Sequence, residues 1–441
     1  MNHLQLFQST KRLLLVILFL ALALRLLALL FLDIHPVSDS GEYIHLAESL
    51  ISGHGYAYNG LPTAYYLPGY PTFLVVFFSI IPNILFVQIV QIMLDVCSCF
   101  LLFRIGSLLF SERSGLFAAL IWAVLPTAIV LTTFILTETL FTTLFLASIT
   151  QLFYKKNKIL SLTSGRLFTV GILWGLCSLI KPNLILAPVS IILFFILKEH
   201  RIVTKIFVRT GIIIAGMTIV VSPWIIRNYL SIGEVTLSTN GGVNFWIGNN
   251  PSATGTYNYP PNNPIESITG EVNQNKLGYK LGWEFIRTNP VRSLVLVGKK
   301  TAYMFVLESP LAIALLNGGA TSVQGVSYRE LYRQTPWWLL VCINLPYCIL
   351  IIAGIFGFSR TFSSSALILL LIGLWIFTHA VFFGGARFHF PILPLFALGA
   401  TSIDISVLSK KRHLLLPGIL STFLLILWTA EIYTVFFKSA P

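Results

Sequence analysis

The strongest constraint on this chain is a run of apolar residues that recurs from one end to the other. Between Leu13 and Leu32 the only charged side chain is Arg25, and comparable stretches follow as far as the C-terminal region. Each is long enough to cross a bilayer as a helix, which needs about 20 residues. Only 10% of the residues are charged and 56% are hydrophobic, against roughly 25% charged in soluble domains. Continuous runs, rather than short alternating ones, point to α-helical spans and not to a barrel. The chain therefore reads as an all-α polytopic membrane protein. Eleven spans are expected, at 13–32, 84–110, 114–133, 135–154, 166–181, 183–198, 206–226, 337–358, 365–383, 388–408 and 414–436. The apolar segment 70–82, bounded by Pro71 and Pro82, is too short to cross and is expected to be an interfacial or re-entrant helix. The first run is too long for a signal peptide, and no small-residue cleavage pattern follows it, so it reads as a retained anchor.

Charge fixes the expected orientation. The net charge of +13 does not imply nucleic acid, because the basic residues gather in short loops between apolar runs. One set of loops holds Lys11, Arg12, Arg104, Arg113, Lys155, Lys156, Lys158, Arg166, Lys198, Arg201, Lys205, Arg209, Arg360, Lys410, Lys411 and Arg412, more than half of the 29 Lys and Arg. The short loops opposite hold only Lys181, Arg227, Arg387 and Lys438. By the positive-inside rule the N-terminus is cytoplasmic and, with eleven spans, the C-terminus is outside. The five cysteines lie inside apolar runs without metal-ligand spacing and read as small core residues.

With that topology, ionisable residues from five separate hairpins meet at the outer face. Asp39 and Glu42 open the first outer loop, in SDSGEY, and Glu138 starts the fourth span in LTETLF. Lys181 in LIKPNL, Arg227 in SPWIIRNY and Arg387 in GGARFHFP supply three cations. Charge near hydrocarbon is costly unless it is paired or used. Plainer roles exist: Lys181 and Arg227 would snorkel to headgroups, while Asp39 and Glu138 would cap helices. Arg25 and Asp95 lie deeper, Asp95 on a stripe with Gln88 and Gln91, and are expected to pair as glue between neighbouring spans.

Carboxylates facing cations at a leaflet boundary suit chemistry on a lipid-linked phosphate. A carboxylate takes the proton of an acceptor hydroxyl, and Arg and Lys stabilise the phosphate as it leaves. The reaction would be glycosyl transfer by direct displacement. The stretch GYAYNGLPTAYYLPGYP, preceded by His54, offers Tyr56, Tyr65 and Tyr66 to a sugar, since tyrosine combines an apolar face with a hydroxyl. Tyrosines also crowd membrane interfaces generally. The long loop opens with STNGGVNFWIGNNPSATGTY, where turn signals flank Phe245 and Trp246, and is expected to cap the site, either holding the acceptor or only shaping the cavity, with Asn240 and Trp246 as candidate sugar or acceptor contacts. This divides the chain into 1–230, with a catalytic first outer loop at 33–83, a cap region at 231–336, and C-terminal spans at 337–441.

The segments SDSGEYIHLAESLISGHGY, PTAYYLPGYP, LTETLF, SPWIIRNY, STNGGVNFWIGNNPSATG and GGARFHFPILPLFAL together resemble the bacterial membrane glycosyltransferases of the GT-C fold. The likeness is to the group containing protein O-mannosyltransferases and aminoarabinose lipid A transferases, and within it to the glycosyltransferase family 39 or RgtA/B/C/D-like branch. The resemblance implies an inverting transferase at the plasma or inner membrane, with an extracytoplasmic site. It would take a monosaccharide from a polyprenyl-phosphate-linked donor to a glycan, lipid or protein acceptor. It places the catalytic acid on Asp39 and a phosphate ligand on Arg387. Ser40 stands where many relatives carry a second acid, with Glu42 two residues on. No cofactor is implied, and no ligand cluster in the sequence requires a divalent metal. Two other readings compete: a ligase or polymerase of lipid-linked glycans, and a secondary transporter. The latter expects repeated halves and broken mid-span helices that are not visible here.

Overall fold

A computed structural model describes residues 3–154, 161–198, 203–402 and 414–437. The basic residues Lys155, Lys156, Lys158, Arg201, Lys410, Lys411, Arg412 and Lys438, and the end of the expected span 388–408, lie outside them. The chain begins with a long helix α1 (His3–Phe31), then α2 (Asp39–Ile51), a two-strand hairpin β1 (Ala57–Tyr58) and β2 (Leu61–Pro62), and α3 (Gly69–Phe78). Helices α4 (Ile84–Leu109), α5 (Glu112–Val124), α6 (Pro126–Leu131), α7 (Thr137–Leu152), α8 (Ser164–Ser178), α9 (Ala187–Lys198) and α10 (Val203–Ile232) follow. The middle region carries α11 (Gly241–Gly248), α12 (Glu271–Thr288), α13 (Pro290–Met304), α14 (Ser309–Leu316) and α15 (Tyr328–Gln334). The C-terminal part has α16 (Trp337–Arg360), α17 (Ala366–Val381), α18 (Leu393–Ala400) and α19 (Leu415–Phe436).

Among the described residues, five helices are long and apolar enough to cross a membrane: α1, α4, α10, α16 and α19. This is a multi-pass membrane protein. Shorter apolar helices fill the rest of the bundle, and their breaks have local causes. The expected continuous span 114–133 is interrupted at Pro126, which has no N–H and forces Leu125 into extended backbone (φ −67°, ψ 119°). The expected spans at 183–198 and 388–408 likewise start as 3-10 turns, Pro182–Leu186 and Ala386–Ile392, the second with Pro391 inside it.

The break at Pro126 explains the buried polar residues of α1 and α4. A helical residue at 126 would donate its N–H to the carbonyl of Trp122; proline cannot. Arg25 donates there instead, from Nη2 at 3.2 Å, and from Nη1 to Ala123 O at 2.9 Å. Its Nε donates to Asp95 Oδ2 at 2.6 Å, and Trp122 Nε1 donates to Asp95 Oδ1 at 3.0 Å. The expected pair therefore forms, fully buried, and also closes a helix end. One turn away on α4, the Gln91 amide donates to Thr132 O and Phe134 O, and the Gln88 amide to Thr133 O, satisfying the chain where α6 stops.

The hairpin follows from its turn. Asn59 and Gly60 both have positive φ (50° and 78°), the type I′ geometry that Asn-Gly favours between strands. Further along, Gly69 N donates to Leu179 O at 2.8 Å. A Cβ on Gly69 would lie 2.7 Å from that oxygen, so only glycine lets α3 start against the end of α8. This contact seats the first loop beside Lys181.

Candidate active site

Two helix N-termini bring two carboxylates together. Asp39 and Glu42 occupy the first turn of α2, and Glu138 the first turn of α7, where the helix dipole favours negative charge. Ser38, just before Asp39, holds a strained positive φ of 54°. Between the carboxylates lies Arg387, from the 3-10 turn after α17. Its Nη2 donates to Asp39 Oδ2 at 2.6 Å, and its Nε lies 3.5 Å from Glu138 Oε1. Lys181, extended at the end of α8, donates from Nζ to the same Glu138 oxygen at 3.0 Å. Thr137 Oγ1 donates to Glu138 Oε2 at 3.1 Å.

Exposure separates the roles open to these groups. The Glu138 side chain is 1% exposed and holds both cations, whereas that of Asp39 is 26% exposed and that of Arg387 42%. Asp39 Oδ1 and Arg387 Nη1 meet no partner among the described residues, and Lys181 bonds only Glu138. The cluster thus offers one open acceptor next to open cationic donors, with Glu138 as the buried counter-charge.

Tyrosines surround this point. Tyr43 packs edge-on against Tyr66 and Tyr70, with ring centroids at 5.5 and 5.2 Å, and Tyr66 meets Tyr65 at 5.2 Å. Burial, then the nearby Asp39, holds the Tyr43 and Tyr66 phenols well above their usual range. Burial pushes Tyr65 up to about 12, assisted by Tyr257, Tyr259 and Asp39. All three are neutral hydroxyl groups at physiological pH. Glu42 accepts a long bond, 3.4 Å, from Tyr58 Oη at the edge of the site.

The other residues singled out in the sequence have different work. Arg227 donates to the carbonyls of Thr63, at 2.6 Å, and Tyr56, and lies over the Tyr56 and Trp224 rings. It clamps the first loop, and none of its described contacts reaches Asp39, Glu138 or Arg387. Tyr56 Oη is spent on the carbonyls of Tyr66 and Leu67. Trp246 is buried in the small apolar core formed by α11 to α13, its Nε1 donating to Asn263 Oδ1, so it packs the region and presents no ring to a sugar. Asn240 stands at the N-cap position of α11 without a side-chain bond to the helix, and its Oδ1 accepts from Ser238 Oγ. His54 is exposed, with Ser52 Oγ as its contact, and none of its described contacts reaches the cluster.

Several residues that position the site carry no strong sequence signal. Glu271, at the start of α12, accepts from Thr63 Oγ1 at 2.6 Å and Ala64 N at 2.7 Å, tying the long loop to the hairpin loop. Lys300 of α13 is buried and donates to Asn249 Oδ1 at 2.9 Å and Val381 O at 3.0 Å. Gly384 packs on the Lys300 carbonyl, where any Cβ would collide, and its N–H donates to Gly255 O at 2.9 Å. The turn that carries Arg387 is therefore gripped from the 231–336 side. Among the described residues, no group of three or more His, Cys, Asp or Glu is placed to hold a metal ion.

The likeness to solved structures shows a membrane protein of the GT-C fold. Residues 68–226 match the dolichyl-phosphate-mannose-protein mannosyltransferase family. The archaeal oligosaccharyltransferase AglB from Archaeoglobus fulgidus, in complex with an inhibitory peptide and a dolichol-phosphate, superposes with a TM-score of 0.53 at 13% identity, over 97% of this chain and 55% of that one. The same organism's oligosaccharyltransferase in complex with zinc and sulfate gives 0.52 at 14% identity, over 96% and 52%. ArnT from Cupriavidus metallidurans bound to undecaprenyl phosphate gives 0.42 at 12% identity, over 91% and 78%. The chain spans about half the length of the archaeal enzyme. No curated protein matches it in sequence.

Proposed function

We propose that the protein is an inverting glycosyltransferase acting at the extracytoplasmic face of the plasma or inner membrane. It moves a monosaccharide from a polyprenyl-phosphate-linked donor to a glycan, lipid or protein acceptor. The observation that carries this reading is the half-open Asp39–Arg387–Glu138–Lys181 cluster on a GT-C fold. The match to a family named for a dolichyl-phosphate-mannose donor supports the choice of donor, and the sidedness of Lys and Arg supports the location.

In this mechanism Asp39 is the general base. The acceptor hydroxyl gives its proton to the carboxylate as its oxygen attacks the anomeric carbon from the face opposite the phosphate. The bond from that carbon to the phosphate oxygen breaks, and its electron pair leaves on the lipid phosphate. Arg387, through Nη1, and Lys181 meet that developing charge. Glu138 is too buried to reach an acceptor and acts as the positioning carboxylate that holds both cations. Tyr65 and Tyr66 offer rings and hydroxyls beside Asp39, and residues 231–336 act as a cap that holds the Arg387 turn in place.

The test is transfer by reconstituted protein, given a panel of radiolabelled polyprenyl-phospho-sugars and total membrane extract. Asp39→Asn is expected to lower kcat by roughly 10²–10⁴-fold with donor binding intact. Equal transfer by wild type and Asp39→Asn would remove Asp39 from the chemistry.

A further inference from the structure

Two residues beyond Arg387, the chain buries a second ionisable pair that the mechanism above does not use. His389 is fully buried, with Nδ1 2.6 Å from Met304 O and Nε2 2.6 Å from Glu308 Oε1. A carbonyl only accepts, so Nδ1 carries hydrogen. Nε2 then shares a proton with the Glu308 carboxyl, whichever partner holds it. The imidazole is stacked against Tyr347, with centroids 4.7 Å apart and planes 19° apart, and more loosely against Phe305 at 6.4 Å. Two hydrogen bonds fix the ring in its plane and two aromatic rings fix it across the plane. Glu308 is held in turn, its N–H donating to Asn344 Oδ1 at 2.7 Å.

This anchoring has a specific place in the fold. Arg387 sits on a 3-10 turn, whose hydrogen bonds are of poorer geometry than those of an α-helix and in which Pro391 supplies no donor. Phe388 O is fastened by Trp375 Nε1 at 2.7 Å, and His389 by the pair. A buried ionisable pair of this kind adds little stability over apolar residues of the same volume, so stability alone does not account for it. We propose that the Glu308–His389 pair is a positioning device that aims Arg387 at Asp39 and Glu138. This rests on the reading of Arg387 as a phosphate ligand.

The test replaces the pair by apolar residues, Glu308→Met with His389→Phe, and measures binding of undecaprenyl phosphate to the purified protein in nanodiscs. The double variant is expected to melt no lower than wild type yet bind roughly tenfold more weakly, the cost of a misaimed contact. In an Arg387→Ala background the same replacement should change nothing further. Glu308→Gln, whose side-chain amide donates to a neutral Nε2, should bind like wild type, and Glu308→Ala should not; this comparison decides if the double variant fails to fold. A stable double variant with wild-type binding, or effects that add to those of Arg387→Ala, overturns the positioning role. Unchanged binding in Arg387→Ala alone overturns the phosphate reading, and the pair's role with it.

Discussion

At the scale of single residues, the site is a matter of which charges are satisfied and which are left open. Glu138 is buried with both oxygens engaged, while among the described residues Asp39 Oδ1 and Arg387 Nη1 meet no partner. Arg387→Lys is expected to raise donor KM by about tenfold, because an ammonium replaces a planar fork that serves Asp39 and a phosphate at once; steady-state kinetics over donor concentration checks it. Lys300 gives a pH signature outside the cluster, since burial lowers its amine to about 8. An unfolded lysine titrates near ~10.4, so between about 8 and that value the unfolded chain binds more protons. Stability should therefore rise with pH across this window, and the full penalty of charging Lys300 should act below it. Thermal melts from pH 7.5 to about 10 should show a rise that flattens in Lys300→Met. The charged members of the cluster were legible in the sequence because a lone ion stands out in an apolar run. Glu271 and Lys300 were not, because α12 and α13 are polar enough to hide one more charge.

Among the elements, proline breaks and their repair govern how the helices meet. The apolar run through Pro126 looked continuous because hydropathy does not register a missing N–H. Arg25, Gln88 and Gln91 were visible as polar intrusions, but their task of closing carbonyls at a broken helix depends on contacts distant in sequence. Asp95→Ala should destabilise by about 3–5 kcal/mol, since it leaves Arg25 buried without its counter-charge. Adding Arg25→Met should recover part of that loss, which denaturation of the purified single and double variants would measure. At the Arg387 turn, Gly384→Ala forces a methyl into the Lys300 carbonyl. It should cost about 1–3 kcal/mol and weaken donor binding, whereas Gly373→Ala on α17, where a Cβ meets nothing, should do neither.

For the molecule as a whole, the all-α membrane class and the gathering of Asp39, Glu138, Lys181 and Arg387 followed from charge and hydropathy. The grip between residues 231–336 and the rest did not, since many of its contacts end on backbone carbonyls, such as Val381 O and Met304 O, that no side-chain pattern announces. The proposed sidedness is open to labelling: in intact cells an impermeant maleimide should modify Asn59→Cys, at the exposed hairpin tip, and leave Arg113→Cys untouched until the membrane is broken. Labelling in the reverse order would place the site in the cytoplasm. The grip also bears on engineering. Asn249, Lys300 and Glu308 on one side, and Val381, Gly384 and His389 on the other, form a single joint. A chimera that imports the middle segment from a relative would break that joint unless the α17–α18 connection travels with it.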